Sequence, residues 1–143
     1  MRVQDTRGVG VKTVRDVMKP HVVTVVPEMT VRELVQTFLE EHVRGAPVLG
    51  PTGKVVGIVS EADVLRAMLH PRPAEEEARD LDEVRVGEIM GPVGLAFAPG
   101  DAVTRVARTF AADGVQRVVV IENDILLGIV TPADLMRSLD ADA

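Results

Sequence analysis

Two short segments each place an aspartate three positions after a hydroxyl residue. They are GIVSEAD at residues 57–63 and GIVTPAD at residues 128–134. A hydroxyl can donate a hydrogen bond to phosphate, and a carboxylate one turn later can accept two hydrogen bonds from a ribose diol. A helix N-terminus that follows a strand also attracts phosphate through its free N–H groups and its dipole. Each segment is therefore a candidate site for a sugar phosphate.

The same residue pattern has a purely structural interpretation. Ser60 and Thr131 are favourable N-cap residues, and Asp63 and Asp134 stand where a carboxylate suits the helix dipole. Pro132 fits the first helical position. A single match of this kind usually marks no more than the start of a helix. Its occurrence twice, in an internal repeat, favours a binding site.

The elements that position these residues are predicted to be the same in both halves of the chain. In the first half, a β-branched run at residues 22–26 predicts a strand that ends at Pro27. Thr30 and Glu33 form a capping box before an apolar stripe at residues 31–39, which predicts a helix. A hairpin (residues 46–49 and 55–59) and a closing helix (62–69) follow.

The second half repeats this order at an offset of about 72 residues, which maps Met18 to Met90 and Phe38 to Phe110. Its predicted strand at residues 95–98 is weaker, and Asp101 is the predicted cap of the helix that follows. The hairpin turn at residues 122–124 is one residue shorter than its counterpart. The closing helix is predicted at residues 133–139.

The predicted fold class is α/β (α+β), with two tandem β-α-β-β-α repeats related by a pseudo-twofold axis. The predicted limits are residues 14–72 for the first repeat, 73–85 for a linker and 86–143 for the second repeat. A unit of this size has a marginal core by itself, so the two copies are expected to bury each other's apolar face.

Composition excludes several classes of function. The net charge of −6 argues against nucleic acid as a partner, and the absence of cysteine excludes disulfides and thiol chemistry. The three histidines lie far apart, so we expect no metal site. No paired acid and base or activated nucleophile is recognisable, so we expect no enzyme and no catalytic cofactor. No apolar run is long enough to span a membrane, and a cytoplasmic location is the default expectation.

The ordered set of motifs resembles the CBS domain, the cystathionine-β-synthase-type repeat, and two in tandem resemble a Bateman module. The matching pieces recur in order in both halves of the chain. In the first half they are Val17-Met18, the strand VTVVP at residues 23–27, APVL at residues 46–49 and GIVSEAD at residues 57–63. The resemblance covers residues 14 to 140, nearly the whole chain.

The resemblance implies a regulatory adenosine ligand, AMP, ADP, ATP or S-adenosylmethionine, in the cleft between the repeats. Asp63 and Asp134 would then bind ribose hydroxyls, and Ser60 and Thr131 would reach phosphate or ribose. The adenine pocket would involve Val23, Thr24 and Ala46, and the basic candidates for phosphate are His42, Arg44 and Arg117.

The second repeat departs from this pattern, because Gly114 stands at the position that corresponds to His42, and Val119 at the position that corresponds to Pro47. The two sites are therefore expected to be unequal, with the stronger one at Ser60 and Asp63. A nucleotide sensor that regulates a separate, unidentified partner protein is the leading hypothesis, and a homodimer is expected by analogy. The alternative is a dimerisation or docking module whose clefts are empty.

Overall fold

The computed structural model describes residues 12–69 and 80–141, and these form a mixed α and β structure built from two tandem repeats. The first half contains the elements α1 (Val14–Val17), α2 (Val31–Glu41), β1 (Gly45–Leu49), β2 (Val55–Ser60) and α3 (Glu61–Leu69). The second half contains α4 (Val86–Ile89), β3 (Ala96–Phe97), α5 (Val103–Asp113), β4 (Val118–Glu122), β5 (Ile125–Val130) and α6 (Pro132–Ala141). The predicted order of elements is thus confirmed, apart from the details below.

The long helix of each repeat begins differently. At α2 the predicted capping box is confirmed, because Thr30 Oγ1 accepts from the Glu33 N–H at 3.1 Å and the Thr30 N–H donates to Glu33 Oε1 at 2.9 Å. At α5 the prediction of Asp101 as the cap is wrong, and Ala102 occupies the N-cap position. The Asp101 carboxylate is engaged one turn earlier, where it accepts from the Ala98 N–H at 2.8 Å.

Each repeat has an antiparallel hairpin, as predicted. In the first, Ala46 pairs with Val59 and Gly45 with Ser60, so the hairpin delivers Ser60 directly to the start of α3. In the second, Val118 pairs with Val130, and Thr131 follows at once. The tight second turn places Asn123 and Asp124 at positive φ, the conformation of a two-residue hairpin turn.

The opening strand forms only in the second repeat, which reverses the prediction that the first would be stronger. β3 pairs in parallel with β4 through Ala96–Val119 and Phe97–Val120, whereas the run at residues 22–26 makes one bridge, Val25–Val48. The physical reason is Pro47, which occupies the position in the first repeat that corresponds to Val119 in the second. Proline has no N–H to donate to the neighbouring strand. The pairing therefore stops one position short.

The short segment that precedes each repeat packs with the other repeat. One compact unit combines residues 12–22 with 94–141, and the other comprises residues 23–69 and 80–93; we call them the second-repeat unit and the first-repeat unit. Lys19 exchanges two backbone hydrogen bonds with Ile129, at 2.9 and 3.1 Å. Gly91 does the same with Ile58, at 2.8 and 3.0 Å. We call residues 12–19 and 84–91 the leading segments.

The glycine that opens each candidate site is explained by this packing. A Cβ at Gly57 would lie 2.7 Å from the Gly91 carbonyl oxygen and 2.8 Å from Met90 Sδ. A Cβ at Gly128 would meet Lys19 and Met18 at the same two distances. The strand and the leading segment can approach this closely only because both positions lack a side chain.

Each unit has its own apolar core. Leu34 and Val48 are fully buried in the first-repeat unit, where they pack with Val59, Val84 and Val86. Val14, Val106 and Val130 are fully buried in the second-repeat unit. Because Val86 and Val14 come from the leading segments, each core is completed by them. Residues 73–79 of the predicted linker lie outside the described residues, and the predicted repeat limits stay a prediction.

Candidate functional site

The first candidate site consists of Ser60 and Asp63 at the start of α3, and its geometry is that of a complete helix cap. Asp63 Oδ2 accepts from the Ser60 N–H at 2.8 Å and from the Ser60 hydroxyl at 3.1 Å. The Asp63 N–H points back at Ser60 Oγ, 3.4 Å away. Asp63 Oδ1 is the oxygen that the cap does not use, and it pairs with the Arg66 guanidinium.

The second candidate site, Thr131 and Asp134 at the start of α6, repeats this arrangement with one addition. Asp134 Oδ2 accepts from the Thr131 N–H at 2.8 Å and from its hydroxyl at 3.0 Å, and Arg137 pairs with Oδ1. The ammonium of Lys19 also lies 3.5 Å from Asp134 Oδ1. The Asp134 side chain is only 2% exposed, against 15% for Asp63. The second carboxylate is therefore both more buried and more fully engaged.

The structural interpretation of the motif thus holds in both repeats, and it constrains any binding role. At α3 the N–H of Glu61 donates to the Arg44 carbonyl at 2.9 Å, and the N–H of Asp63 faces Ser60 Oγ. The first turn consequently offers fewer free N–H groups to a phosphate than the sequence predicts. The carboxylate oxygen that the cap does not use, with the exposed Arg66 side chain beside it, is the part of the site that remains for a ligand.

Basic residues predicted for the first site lie at the same end of the hairpin. Arg44 is exposed and directly precedes β1, and its carbonyl bond to Glu61 ties it to the start of α3. His42 is exposed two residues earlier, in the left-handed conformation that ends α2 (φ 56°). Its counterpart Gly114 ends α5 with φ 66°. The replacement of histidine by glycine there suits the backbone, since glycine adopts this φ without steric cost.

The three residues predicted for an adenine pocket are placed less uniformly. Thr24 is exposed and Val23 is partly buried, and both directly precede the Val25 bridge to β1. Ala46 is fully buried in the core of the first-repeat unit. Ala46 therefore contributes to packing in this structure, whereas Val23 and Thr24 present accessible surface.

In the second-repeat unit, Arg117 directly precedes β4. It is partly buried, and because Val118 pairs with Val130, the chain places Arg117 beside the Thr131 end of the hairpin. The position that corresponds to Arg44 is Gln116, whose side-chain amide reaches the Gly114 carbonyl at 3.4 Å. The two sites thus carry their basic groups at different positions.

Three basic residues at these sites escape the motif-based prediction. Arg66 and Arg137 each pair with the aspartate three residues earlier. Their spacing was a usable signal, because residues three apart are neighbours on a helix surface. Lys19 had no such signal, since it reaches Asp134 only through the packing of the leading segment.

Within residues 12–69 and 80–141, no group of three or more histidine, aspartate or glutamate side chains is arranged to hold a metal ion. In the same part of the chain, no helix has the length and apolarity that a membrane crossing requires.

Two tandem repeats, each with a hairpin and a capped aspartate at the strand-to-helix junction, define a duplicated module of mixed α and β structure. The model of the CBS domain family matches residues 14–70 and 86–141. The chain therefore belongs to the CBS domain family, as the resemblance predicts.

Among similar proteins, uncharacterized protein MJ1225 of Methanocaldococcus jannaschii is 32% identical over 129 residues. The match covers 90% of this chain but only 43% of that protein, so this chain spans less than half the length of that relative. The fold is shared with CBSX2 in complex with AMP (TM-score 0.76, 24% identity, 90% of this chain and 96% of that one).

The fold is also shared with the CBS domain pair of protein MJ0100 in complex with 5′-methylthioadenosine and S-adenosyl-L-methionine. The TM-score is 0.77 and the identity 19%, and the match covers 93% of this chain and 99% of that one. Some CBS domain pairs thus bind adenosine ligands, and the alternative of a purely structural module with empty clefts is not favoured.

Proposed function

We propose that this chain is a regulatory module that binds an adenine nucleotide of the AMP, ADP or ATP type and has no catalysis of its own. The observation that carries the proposal is the Asp63 carboxylate, whose cap uses Oδ2 and leaves Oδ1 beside the exposed Arg66 guanidinium. S-adenosylmethionine shares the ribose and adenine of these nucleotides and is the other ligand class considered. In this function the module signals to a separate partner protein.

The first site is proposed to recognise the ligand through its two most distinctive groups. Asp63 Oδ1 would accept hydrogen bonds from the ribose hydroxyls once the Arg66 side chain moves away. Arg66 is 70% exposed, and its guanidinium pairs with this oxygen. Arg44 and His42, exposed at the same end of the hairpin, would face the phosphate. Ser60 orients the carboxylate, and Val23 and Thr24 would border the adenine.

The test measures the melting temperature with and without AMP. A ligand that binds only the folded state stabilises it by about 2.7 kcal/mol at a concentration one hundred times Kd. We expect AMP to raise the Tm of the wild-type chain and to leave that of Asp63→Asn unchanged, because an amide cannot accept as a charged carboxylate does. Unchanged Tm and no calorimetric heat with AMP, ADP, ATP and S-adenosylmethionine would refute the proposal.

A matched control is available within the same unit. Glu33 is also the carboxylate of a capping box, at the start of α2, and Glu33→Gln makes the same chemical change there. We expect this variant to keep the full AMP-dependent shift. Loss of the shift in both variants would mean that any weakened cap, rather than the loss of a ligand contact, explains the effect.

The predicted homodimer belongs to the same proposal. Exposed apolar side chains on α3 support it, since Leu65 is 55% exposed and Leu69 is 81% exposed. A second copy of this chain would cover them. Light scattering tests this, with an expected mass of twice the 15.4 kDa of the chain and a monomer mass as the contrary result.

A further inference from the structure

The last residue of the leading segment differs between the two units, and in the second-repeat unit its side chain reaches the aspartate of the candidate site. Lys19 and Gly91 occupy equivalent places, because each exchanges two backbone hydrogen bonds with the equivalent residue of a hairpin strand, Ile129 or Ile58. Each is also followed by proline. The backbone frame is the same, so the difference lies in the side chain alone.

In the second-repeat unit this side chain carries a cation to the carboxylate. Lys19 Nζ lies 3.5 Å from Asp134 Oδ1, the oxygen that the cap does not use and that Arg137 also contacts. In the first-repeat unit the equivalent residue is Gly91, which has no side chain to offer to Asp63. Asp63 Oδ1 pairs with the exposed Arg66, and the Asp63 side chain is several times more exposed than that of Asp134.

We propose that this position decides which site binds the adenosine ligand. Lys19 occupies the second carboxylate and keeps ribose hydroxyls from it, whereas Gly91 leaves the first carboxylate open. The inference rests on the proposed function and adds to it that the chain binds one equivalent of ligand, at Ser60 and Asp63. Lys19 acts on specificity by holding Asp134 in an internal ion pair.

The structure provides a reciprocal exchange as the test. A Cβ at Gly91 would find its nearest neighbour, the Ile58 carbonyl oxygen, at an ordinary 3.9 Å, so a side chain fits there without displacing the backbone. Gly91→Lys should place an ammonium opposite Asp63 as Lys19 is placed opposite Asp134. Lys19→Gly should remove it from the second site. The conservative controls are Lys19→Arg, which keeps the cation, and Gly91→Ala, which adds only a methyl group.

The measurement is calorimetric titration of each full-length variant with AMP. We expect one equivalent for the wild type, for Lys19→Arg and for Gly91→Ala. We expect two equivalents for Lys19→Gly, and for Gly91→Lys a loss of at least ten-fold in affinity for the first site. That loss would occur although the added cation by itself attracts the phosphate of AMP.

Two results would overturn this inference and leave the proposed function intact. The first is two equivalents of AMP bound by the wild type. The second is weaker AMP binding by Lys19→Gly than by the wild type, which would identify Lys19 as a phosphate contact. If neither the wild type nor Lys19→Gly binds AMP, ADP, ATP or S-adenosylmethionine, the proposed function fails together with the inference.

Discussion

The two units of this chain have the same order of elements, but they differ at residues that determine which hydrogen bonds form near the candidate sites. In the first-repeat unit, Pro47 truncates the opening strand to a single bridge at Val25. In the second-repeat unit, Lys19 brings an ammonium to Asp134, whereas Gly91 takes the equivalent place in the first-repeat unit. The order of elements is shared by the copies, and these differences change which hydrogen-bonding groups remain available. A duplicated fold can therefore hold two sites of unequal capacity.

The largest effect is expected where both units share the same tight contact. Gly57→Ala and Gly128→Ala each push a methyl group to 2.7 Å from a backbone oxygen of the leading segment. Overpacking of this kind costs about 1 to 3 kcal/mol. Both variants should lower the free energy of unfolding in denaturant by similar amounts, because the two contacts are alike.

The control for the glycine substitutions is Gly100→Ala, where an added Cβ meets nothing within 4 Å and φ is not positive. It should leave stability close to that of the wild type. If Gly57→Ala is as stable as Gly100→Ala, the close packing of the leading segment does not constrain the first unit.

Two smaller changes in stability, of opposite sign, are expected from substitutions at the N-caps of α2 and α5. Thr30→Ala removes the oxygen that accepts from the Glu33 N–H and should destabilise the chain by about 1 kcal/mol. Ala102→Ser adds such an acceptor at the N-cap of α5 and should stabilise it by up to about 1 kcal/mol. Denaturant unfolding of both variants measures the difference. Unchanged stability of Ala102→Ser would show that the start of α5 gains nothing from a side-chain cap.

The smallest expected effect is a dependence of the free energy of unfolding on pH. The Thr30 backbone N–H, with its hydroxyl, lowers the pKa of the Glu33 carboxyl below its usual range, and the Thr13 backbone N–H lowers that of Asp16. A lowered pKa in the folded state contributes stability above the unfolded pKa, which is lost as pH falls through the folded value. In the second repeat, Arg105 stands at the position that corresponds to Glu33, and Glu88 at the position that corresponds to Asp16.

Wild-type chain and Glu33→Gln should therefore differ in stability near neutral pH and converge as the pH is lowered below the folded pKa of Glu33. Unfolding curves across this range measure the difference, which should be small because the carboxylate is exposed. A constant difference across all pH values would exclude a contribution from the ionised Glu33.

Much of the fold was accessible from the sequence because it depends on local chemistry. The Thr30–Glu33 capping box, the apolar stripe of α2 and the turn at Asn123 each specify their element within a few residues. The local signal failed where a distant residue decided the outcome. The β-branched run at residues 22–26 has strong strand propensity, but its neighbour Pro47 cannot complete the ladder.

The candidate site divides in the same way. The residues Ser60, Asp63, Thr131 and Asp134 were identifiable from spacing and repetition, and their mutual hydrogen bonds follow from helix geometry. The partner of the oxygen that the cap does not use was not identifiable, because it depends on which side chain the leading segment brings to it. Lys19 and Asp134 are more than one hundred residues apart in the chain.

By itself, the sequence determined the duplicated order of elements, the capped aspartates and the membership of the CBS family, because repetition and local hydrogen bonding are written in residue type and spacing. Only the tertiary structure decided that each leading segment packs with the other repeat, and so that a lysine meets Asp134 while a glycine takes the equivalent place in the other unit. Which distant backbone comes to lie beside a strand is settled by packing of the whole unit. No short stretch of residues encodes it.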